Sequence, residues 1–223
     1  FDIFAIQETW LLENNNFVIP DYRVFRSDRK KNKRKHCGSG GVAFVFKNSL
    51  SKGLTKIASE NDEFLWLKMN KSFFGTDNNI YLCNCYIPPY NSNVHNSNDI
   101  SKFEILEKEI ANFSQDGSII LLGDFNAQTG RLTESYYNPK DDHEIYGMTS
   151  NAIESTTIED FPYRENQDNT INQFGRELLG LVNKSNTVIL NGRKMGDLYG
   201  EKTCYTSTGS STIDYAIISK DLY

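Results

Sequence analysis

SIILLGDFNAQTG, running from Ser118 to Gly130, is the stretch whose reading decides the fold. Ile119 to Leu122 is an apolar run too short to be a helix on its own, and Gly123 closes it, which marks a buried strand. Asp124 and Asn126 follow on either side of the apolar anchor Phe125. A strand that ends this way sets a carboxylate and a carboxamide at the rim of a sheet rather than in its core. Two readings stay open from these residues alone. One is a polar turn after a strand, because Asp and Asn bond readily to their own backbone; the other is the edge of a site where chemistry is done.

Upstream of that strand, Asp99 to Ser114 carries Ile100, Phe103, Leu106, Ile110 and Phe113 on a helical stripe, with Asn98 or Asp99 as N-cap. Before it, Ile80 to Ile87 reads as a strand that Pro88-Pro89 must end, placing Tyr86 at a strand terminus. Further back, Phe1 to Ile6, Tyr22 to Ser27, Val42 to Phe46, Leu54 to Ala58 and Glu63 to Met69 have strand character. The first of these delivers Glu8 either to the same kind of rim or to the surface as an ordinary charge. Downstream, Asn138 to Gln167 is a polar excursion without sustained period, and Ile171 to Asn183 is a second helix with Phe174, Leu178 and Val182 on one face. A short strand at Thr187 to Leu190 precedes a final hairpin expected to pair Lys202 to Ser207 with Thr212 to Ser219.

At 223 residues the chain suits one large α/β or all-β domain or two small ones, and its 12 Tyr and 14 Phe supply a core that 38% apolar content alone would leave thin. No run reaches the roughly 18 apolar residues of a membrane span, so a soluble chain is expected. The four cysteines show no metal-ligand spacing and read as free thiols in a reducing compartment. A net charge of −5 argues against bulk electrostatic coating of nucleic acid. The distribution differs from the sum, because Arg26 to Lys35 is strongly basic and holds Arg29, Lys31 and Arg34. That run is either a solvated loop or an arm that contacts phosphates. The glycines Gly38, Gly40 and Gly41 read as a tight entry into the next strand rather than a phosphate cradle, since no helix follows.

Four pieces stand in a fixed order: QETW at Gln7 to Trp10, NCYIPPY at Asn84 to Tyr90, GDFNAQTG at Gly123 to Gly130, and SSTIDYAIIS at Ser210 to Ser219. Each is short, but together and in that order they resemble the endonuclease/exonuclease/phosphatase superfamily. GGVAFVF, NGRKMGD and YTSTGSSTIDY give a further resemblance to the abasic-endonuclease-like domain of LINE-type, non-LTR retrotransposons.

That resemblance implies a four-layer α/β sandwich, DNase I-like, with two mixed sheets packed face to face and helices outside. It implies that Glu8 binds Mg²⁺ or Mn²⁺, that Asp124 orients or deprotonates the attacking water with Asn126 as its partner, that Tyr86 donates to the phosphate, and that Asp214 orients a catalytic His. The implied activity is a metal-dependent phosphodiesterase that nicks DNA for target-primed reverse transcription, with DNA as partner, a reverse-transcriptase domain following in the same chain, and an intracellular, nuclear site of action. Other members of the superfamily are phosphomonoesterases or phospholipid hydrolases, and an inactive relic would keep the same fold. Relative to the family pattern, residues 1–223 form a single domain that lacks an earlier strand with its Asn and a later Ser-Asp-His, so the chain alone is expected to be poorly active. Thr206 and Ser211, on the final hairpin, are further candidates for DNA contact, the other reading of that stretch being an ordinary hairpin turn.

Overall fold

The computed structural model describes residues 1–28, 40–89, 101–134 and 161–223. Arg29, Lys31 and Arg34 of the basic run lie outside the described residues, as do His36, His95 and His143. The elements, in chain order, are β1 (Ile3–Gln7), β2 (Tyr22–Ser27), β3 (Val42–Lys47), β4 (Leu54–Ile57), β5 (Phe64–Met69), α1 (Lys71–Phe74), β6 (Asn79–Tyr86), α2 (Lys102–Phe113) and β7 (Gly117–Asp124). They continue with α3 (Gln173–Lys184), β8 (Thr187–Ile189), β9 (Cys204–Thr206), β10 (Gly209–Ser211) and β11 (Asp214–Ser219).

β7 takes a middle place in a six-stranded sheet ordered β4-β5-β6-β7-β11-β8. It runs parallel to β6 and antiparallel to β11, so the sheet is mixed. A parallel neighbour needs a crossover, and α2 supplies it. A second sheet, ordered β1-β3-β2, is antiparallel throughout its described strands.

Alternation along the strands produces two cores. On β5, Phe64 and Trp66 face the helices while Leu65 and Leu67 face the smaller sheet. The helix-side core joins Trp66, Ile119 and Leu121 to Leu106 and Ile110 of α2 and to Leu178 and Val182 of α3. The inter-sheet core packs Phe44 and Phe46 of β3 against Leu65, Leu67, Leu82 and Tyr86. Each such fully buried side chain contributes about 1.5–3 kcal/mol of transfer free energy. The order helices, large sheet, small sheet is therefore built from strands that are apolar on both faces.

Three expectations change in detail. Ser101 caps α2, its hydroxyl accepting from the Phe103 amide at 3.3 Å, in place of Asn98 or Asp99, which lie outside the described residues. A short helix, α1, follows Asn70, whose side chain accepts from the amides of Ser72 and Phe73. The final hairpin is local: β9 pairs with β10, Thr206 facing Gly209, and Asp214–Ser219 pairs instead with β7 and β8. The reason is in the hydrogen bonds, since the Thr212 amide donates to Asp168 and the Ile213 and Asp214 amides to the Thr203 hydroxyl, which turns the chain out of the hairpin.

Candidate active site

Strand ends converge at one rim of the sandwich. β6 ends at Tyr86 and β7 at Asp124, and these two residues are register partners across the parallel ladder. Asp124 is also the register partner of Asp214, the first residue of β11. Tyr86, Asp124 and Asp214 thus stand side by side because three neighbouring strands reach the same edge.

Gly123 makes that approach possible. Its φ of 142° suits glycine, and a Cβ there would sit 2.0 Å from the Cys85 carbonyl oxygen. Beyond Asp124 the chain turns sharply, with Asn126 at a φ of 48°, a left-handed conformation that Asn tolerates better than most residues. The turn is held by the Asn126 amide donating to Asp124 Oδ1 at 2.8 Å, and by Asn126 Nδ2 donating to the Ile87 carbonyl at 2.8 Å and to Asp124 Oδ2 at 3.2 Å. Phe125, fully buried, meets Tyr215 edge-on and anchors the turn in the core. The polar turn and the candidate site are the same object here: the carboxylate caps its own backbone at the rim.

Glu8 comes from the other sheet. It lies one residue past β1 at a φ of 50°, and Trp10 follows at 56°, conformations that cost energy for residues with side chains. The bend is pinned where the Thr9 amide donates to the Gly41 carbonyl at 3.2 Å and the Trp10 amide to the Gly40 carbonyl at 2.9 Å. Gly41, with φ of 86°, must be small, since a Cβ would meet Thr9 Oγ1 at 2.6 Å. The paired glycines serve as a tight turn. The Tyr86 hydroxyl donates to Glu8 Oε1, so the two sheets meet at this pair.

Among the described residues, the charges that act on Asp124 at the rim are negative. Burial pushes the Asp124 carboxyl up to about 7; the Asn126 amide works against this, and the negative charges of Asp214 and Glu8 add to it. Among the described residues no three His, Cys, Asp or Glu side chains are grouped so as to hold a metal ion by themselves. The donors are nonetheless hard oxygens, and the described charges among them are negative. They fit an ion of the Mg²⁺ kind, which takes one or two carboxylates and completes its shell with water and substrate oxygens.

Behind the rim lies a buried polar clasp that the sequence reading passed over. Asp168 accepts from Gln128 Nε2 at 3.1 Å and from the Thr212 amide at 3.1 Å, tying the loop after Asn126 to the start of β11. Asn166 donates to the Gly130 carbonyl at 2.8 Å and accepts from the Thr212 hydroxyl at 3.2 Å. Arg164, 1% exposed, donates to Thr129 Oγ1 at 3.0 Å and to the Leu132 carbonyl at 2.7 Å. Asn172 donates to the Asn126 carbonyl at 2.9 Å while its Oδ1 caps α3 through the Gly175 amide at 2.7 Å. Arg164, Asn166 and the neighbouring Gln167 fall in the segment that lacked periodicity, where residues 164–170 are polar at every position, so no pattern marks which of them are buried. Thr206 and Ser211 lie on the local hairpin, where Thr206 Oγ1 donates to the Gly209 carbonyl at 3.0 Å.

An α/β sandwich whose strand ends gather Glu8, Tyr86, Asp124, Asn126 and Asp214 at one rim has the design of a hydrolase fold with an acidic centre. The family described as the Endonuclease/Exonuclease/phosphatase family matches residues 1–223, and the chain belongs to it. Members of the family are hydrolases acting on phosphodiester bonds and generally use divalent metal ions. Among solved structures, the chain is similar to the endonuclease domain of TRAS1, a telomere-specific non-LTR retrotransposon, with a TM-score of 0.51 and 15% identity over 99% of this chain and 74% of that one. It is also similar to the 3′ phosphatase NExo from Neisseria bound to a product DNA hairpin, with a TM-score of 0.53 and 12% identity over 99% of this chain and 77% of that one. Both likenesses give the DNase I-like fold. No curated protein matches the chain in sequence. Among the described residues, no helix is long and apolar enough to cross a membrane.

Proposed function

We propose that the chain is the nicking endonuclease of a non-LTR retrotransposon, a Mg²⁺- or Mn²⁺-dependent phosphodiesterase that cuts one DNA strand and leaves a 3′-hydroxyl primer for a reverse-transcriptase domain of the same polyprotein. The observation that carries this reading is the meeting of Asp124 and Asn126 with Asp214 on one sheet edge, opposite Glu8 held by Tyr86.

A phosphodiester is already anionic, so hydrolysis needs a positioned water and compensation of charge more than covalent steps. Asp124, with a carboxyl poised near neutrality, takes the proton from the attacking water. Asn126 spends both amide hydrogens on Ile87 and Asp124, which leaves its Oδ1 to accept from that water. Tyr86 donates its phenolic proton to a phosphoryl oxygen when substrate displaces the contact with Glu8. Glu8 would hold the divalent cation, which when bound neutralises charge on the phosphate. Asp214 orients a catalytic histidine. Arg29, Lys31, Arg34, Thr206 and Ser211 contact the DNA backbone and groove.

The test is relaxation of supercoiled plasmid in Mg²⁺, with the chain alone and with the chain extended at both ends in its parent reading frame. Nicked circles with 3′-hydroxyl ends, lost in Asp124→Ala, are the expected result; release of phosphate from a 3′-phosphorylated oligonucleotide without nicking would make it a phosphomonoesterase instead. Translation of the flanking frame should show a reverse-transcriptase Tyr-x-Asp-Asp region downstream.

A further inference from the structure

The candidate site is assembled from two sheets, and only side chains can fix one sheet against the other. Tyr86, Asp124 and Asp214 belong to the six-stranded sheet, where ladder hydrogen bonds set their spacing. Glu8 follows β1 of the three-stranded sheet, and among the described residues no ladder runs between the two sheets.

Asn84 lies where such a tie is needed. It is fully buried on β6, two residues before Tyr86, and therefore on the same face, the one that packs on the smaller sheet. A carboxamide in the middle of an apolar strand is costly unless every polar atom is paired. Here both amide hydrogens and the oxygen are used. Asn84 Nδ2 donates to the carbonyl of Ile6 at 3.0 Å and to that of Ala43 at 2.9 Å. Ile6 and Ala43 are register partners on β1 and β3, so one carboxamide grips both strands at the same level. Asn84 Oδ1 accepts from Gln7 Nε2 at 2.5 Å, and Gln7 is the residue immediately before Glu8.

We infer that Asn84 is a positioning residue: by hydrogen-bonding Ile6, Ala43 and Gln7 across the sandwich it sets the register of the smaller sheet on the larger one, and so places the Glu8 carboxylate against Tyr86 at the rim shared with Asp124. An apolar side chain of the same size would fill the space and keep the sheets packed while removing the three hydrogen bonds that hold their register beside Glu8, leaving the Tyr86–Glu8 contact and the distant bond from Lys56 Nζ to the Arg26 carbonyl. Asn84 acts through Glu8 and touches no reacting atom. The catalytic part of this inference rests on the phosphodiesterase reading; the geometric part does not.

Asn84→Leu is the test, in the full chain. The expected result is cooperative unfolding at a lower temperature than the parent's, because the Ile6 and Ala43 carbonyls lose a partner, with a Mn²⁺ dissociation constant raised about tenfold by titration calorimetry and a kcat for nicking lowered about tenfold with the KM for DNA unchanged, the scale on which residues supporting metal ligands act. A folded Asn84→Leu with metal affinity and kcat like the parent's overturns the inference, and so does an equal fall in unfolding temperature, DNA affinity and activity. Should that variant fail to fold, Gln7→Leu decides: it spares both backbone contacts of Asn84 and is expected to weaken Mn²⁺ binding severalfold, whereas no change refutes the role. A parent that neither nicks DNA nor binds Mn²⁺ removes the functional reading instead. Positioning is then decided by the ¹⁹F signal of a 3-fluorotyrosine replacing Tyr86, which moves in Asn84→Leu if Asn84 sets the contact with Glu8 and stays if it does not.

Discussion

Asp124 and Glu8 are both carboxylates at the same rim, but they stand on differently built ground. Asp124 ends a strand with neighbours on both sides, β6 in parallel and β11 antiparallel, and its turn is closed by Asn126 and anchored by buried Phe125. Glu8 lies beyond the end of β1, an edge strand among the described residues, in a strained backbone conformation held by contacts to Gly40 and Gly41 and by Tyr86. Backbone ladders place the first; side chains and glycine turns place the second. The two halves of the site should therefore fail differently.

Asp124→Ala removes the group proposed to accept the water's proton and is expected to cost on the order of 10²–10³ in nicking rate, the scale seen when a preorganised catalytic group is lost. Its fold should survive, because the turn keeps Phe125 and the Ile87 amide still donates to the backbone carbonyl of residue 124. Nicking at the parent's rate would break the assignment. Glu8→Gln should lower activity by about 10²-fold in low metal and recover part of it at high Mn²⁺, because a carboxamide oxygen remains a hard but weaker ligand. A loss that no metal concentration relieves would place Glu8 elsewhere in the reaction.

How much of this could be read from the chain follows the same division. The strand Ile119 to Leu122, the break at Gly123 and the rim position of Asp124 are local facts, carried by apolar run length and a glycine. Tyr86 at a strand end followed from Pro88-Pro89. By contrast, that Asp124 faces Asp214 is a register fact: nothing local separates a long final hairpin from a short one followed by a strand that crosses to β7. The tie through Asn84 was hidden for a similar reason, since its partners lie far away in sequence at Ile6, Gln7 and Ala43. A polar residue inside an apolar strand was its only mark.

The buried clasp behind Asp124 offers a test of the better-anchored half. Asp168→Ala removes an acceptor used by Gln128 and by the Thr212 amide, leaving that buried amide unpaired at a cost of about 1–3 kcal/mol in urea unfolding. Because the clasp joins the loop after Asn126 to the start of β11, kcat should fall while Mn²⁺ affinity at Glu8 holds. Loss of both together would mean that the two halves are one cooperative unit after all.

The smallest expected effect lies in the pH dependence of stability, and it separates the two carboxylates without any assay of activity. An Asp carboxyl gives up its proton near pH 3.8 when exposed, whereas burial holds Asp124 protonated to about 7 in the folded chain. Between those values the folded state binds more protons than the unfolded one, so stability falls as pH rises from about 4 to about 7 and levels off above that. Partial solvent access at the rim discounts the full shift, which leaves a loss of about 1–2 kcal/mol. Asp124→Asn has no carboxyl to ionise and should lack that part of the slope, while Glu8→Gln, which only removes a neighbouring negative charge, should keep most of it. Urea unfolding in chelator at about pH 5 and about pH 8 measures the difference. Equal slopes in the parent and in Asp124→Asn would mean that the Asp124 carboxyl is as well solvated as Glu8, and the contrast between a buried, ladder-held base and a side-chain-held ligand would have to be given up.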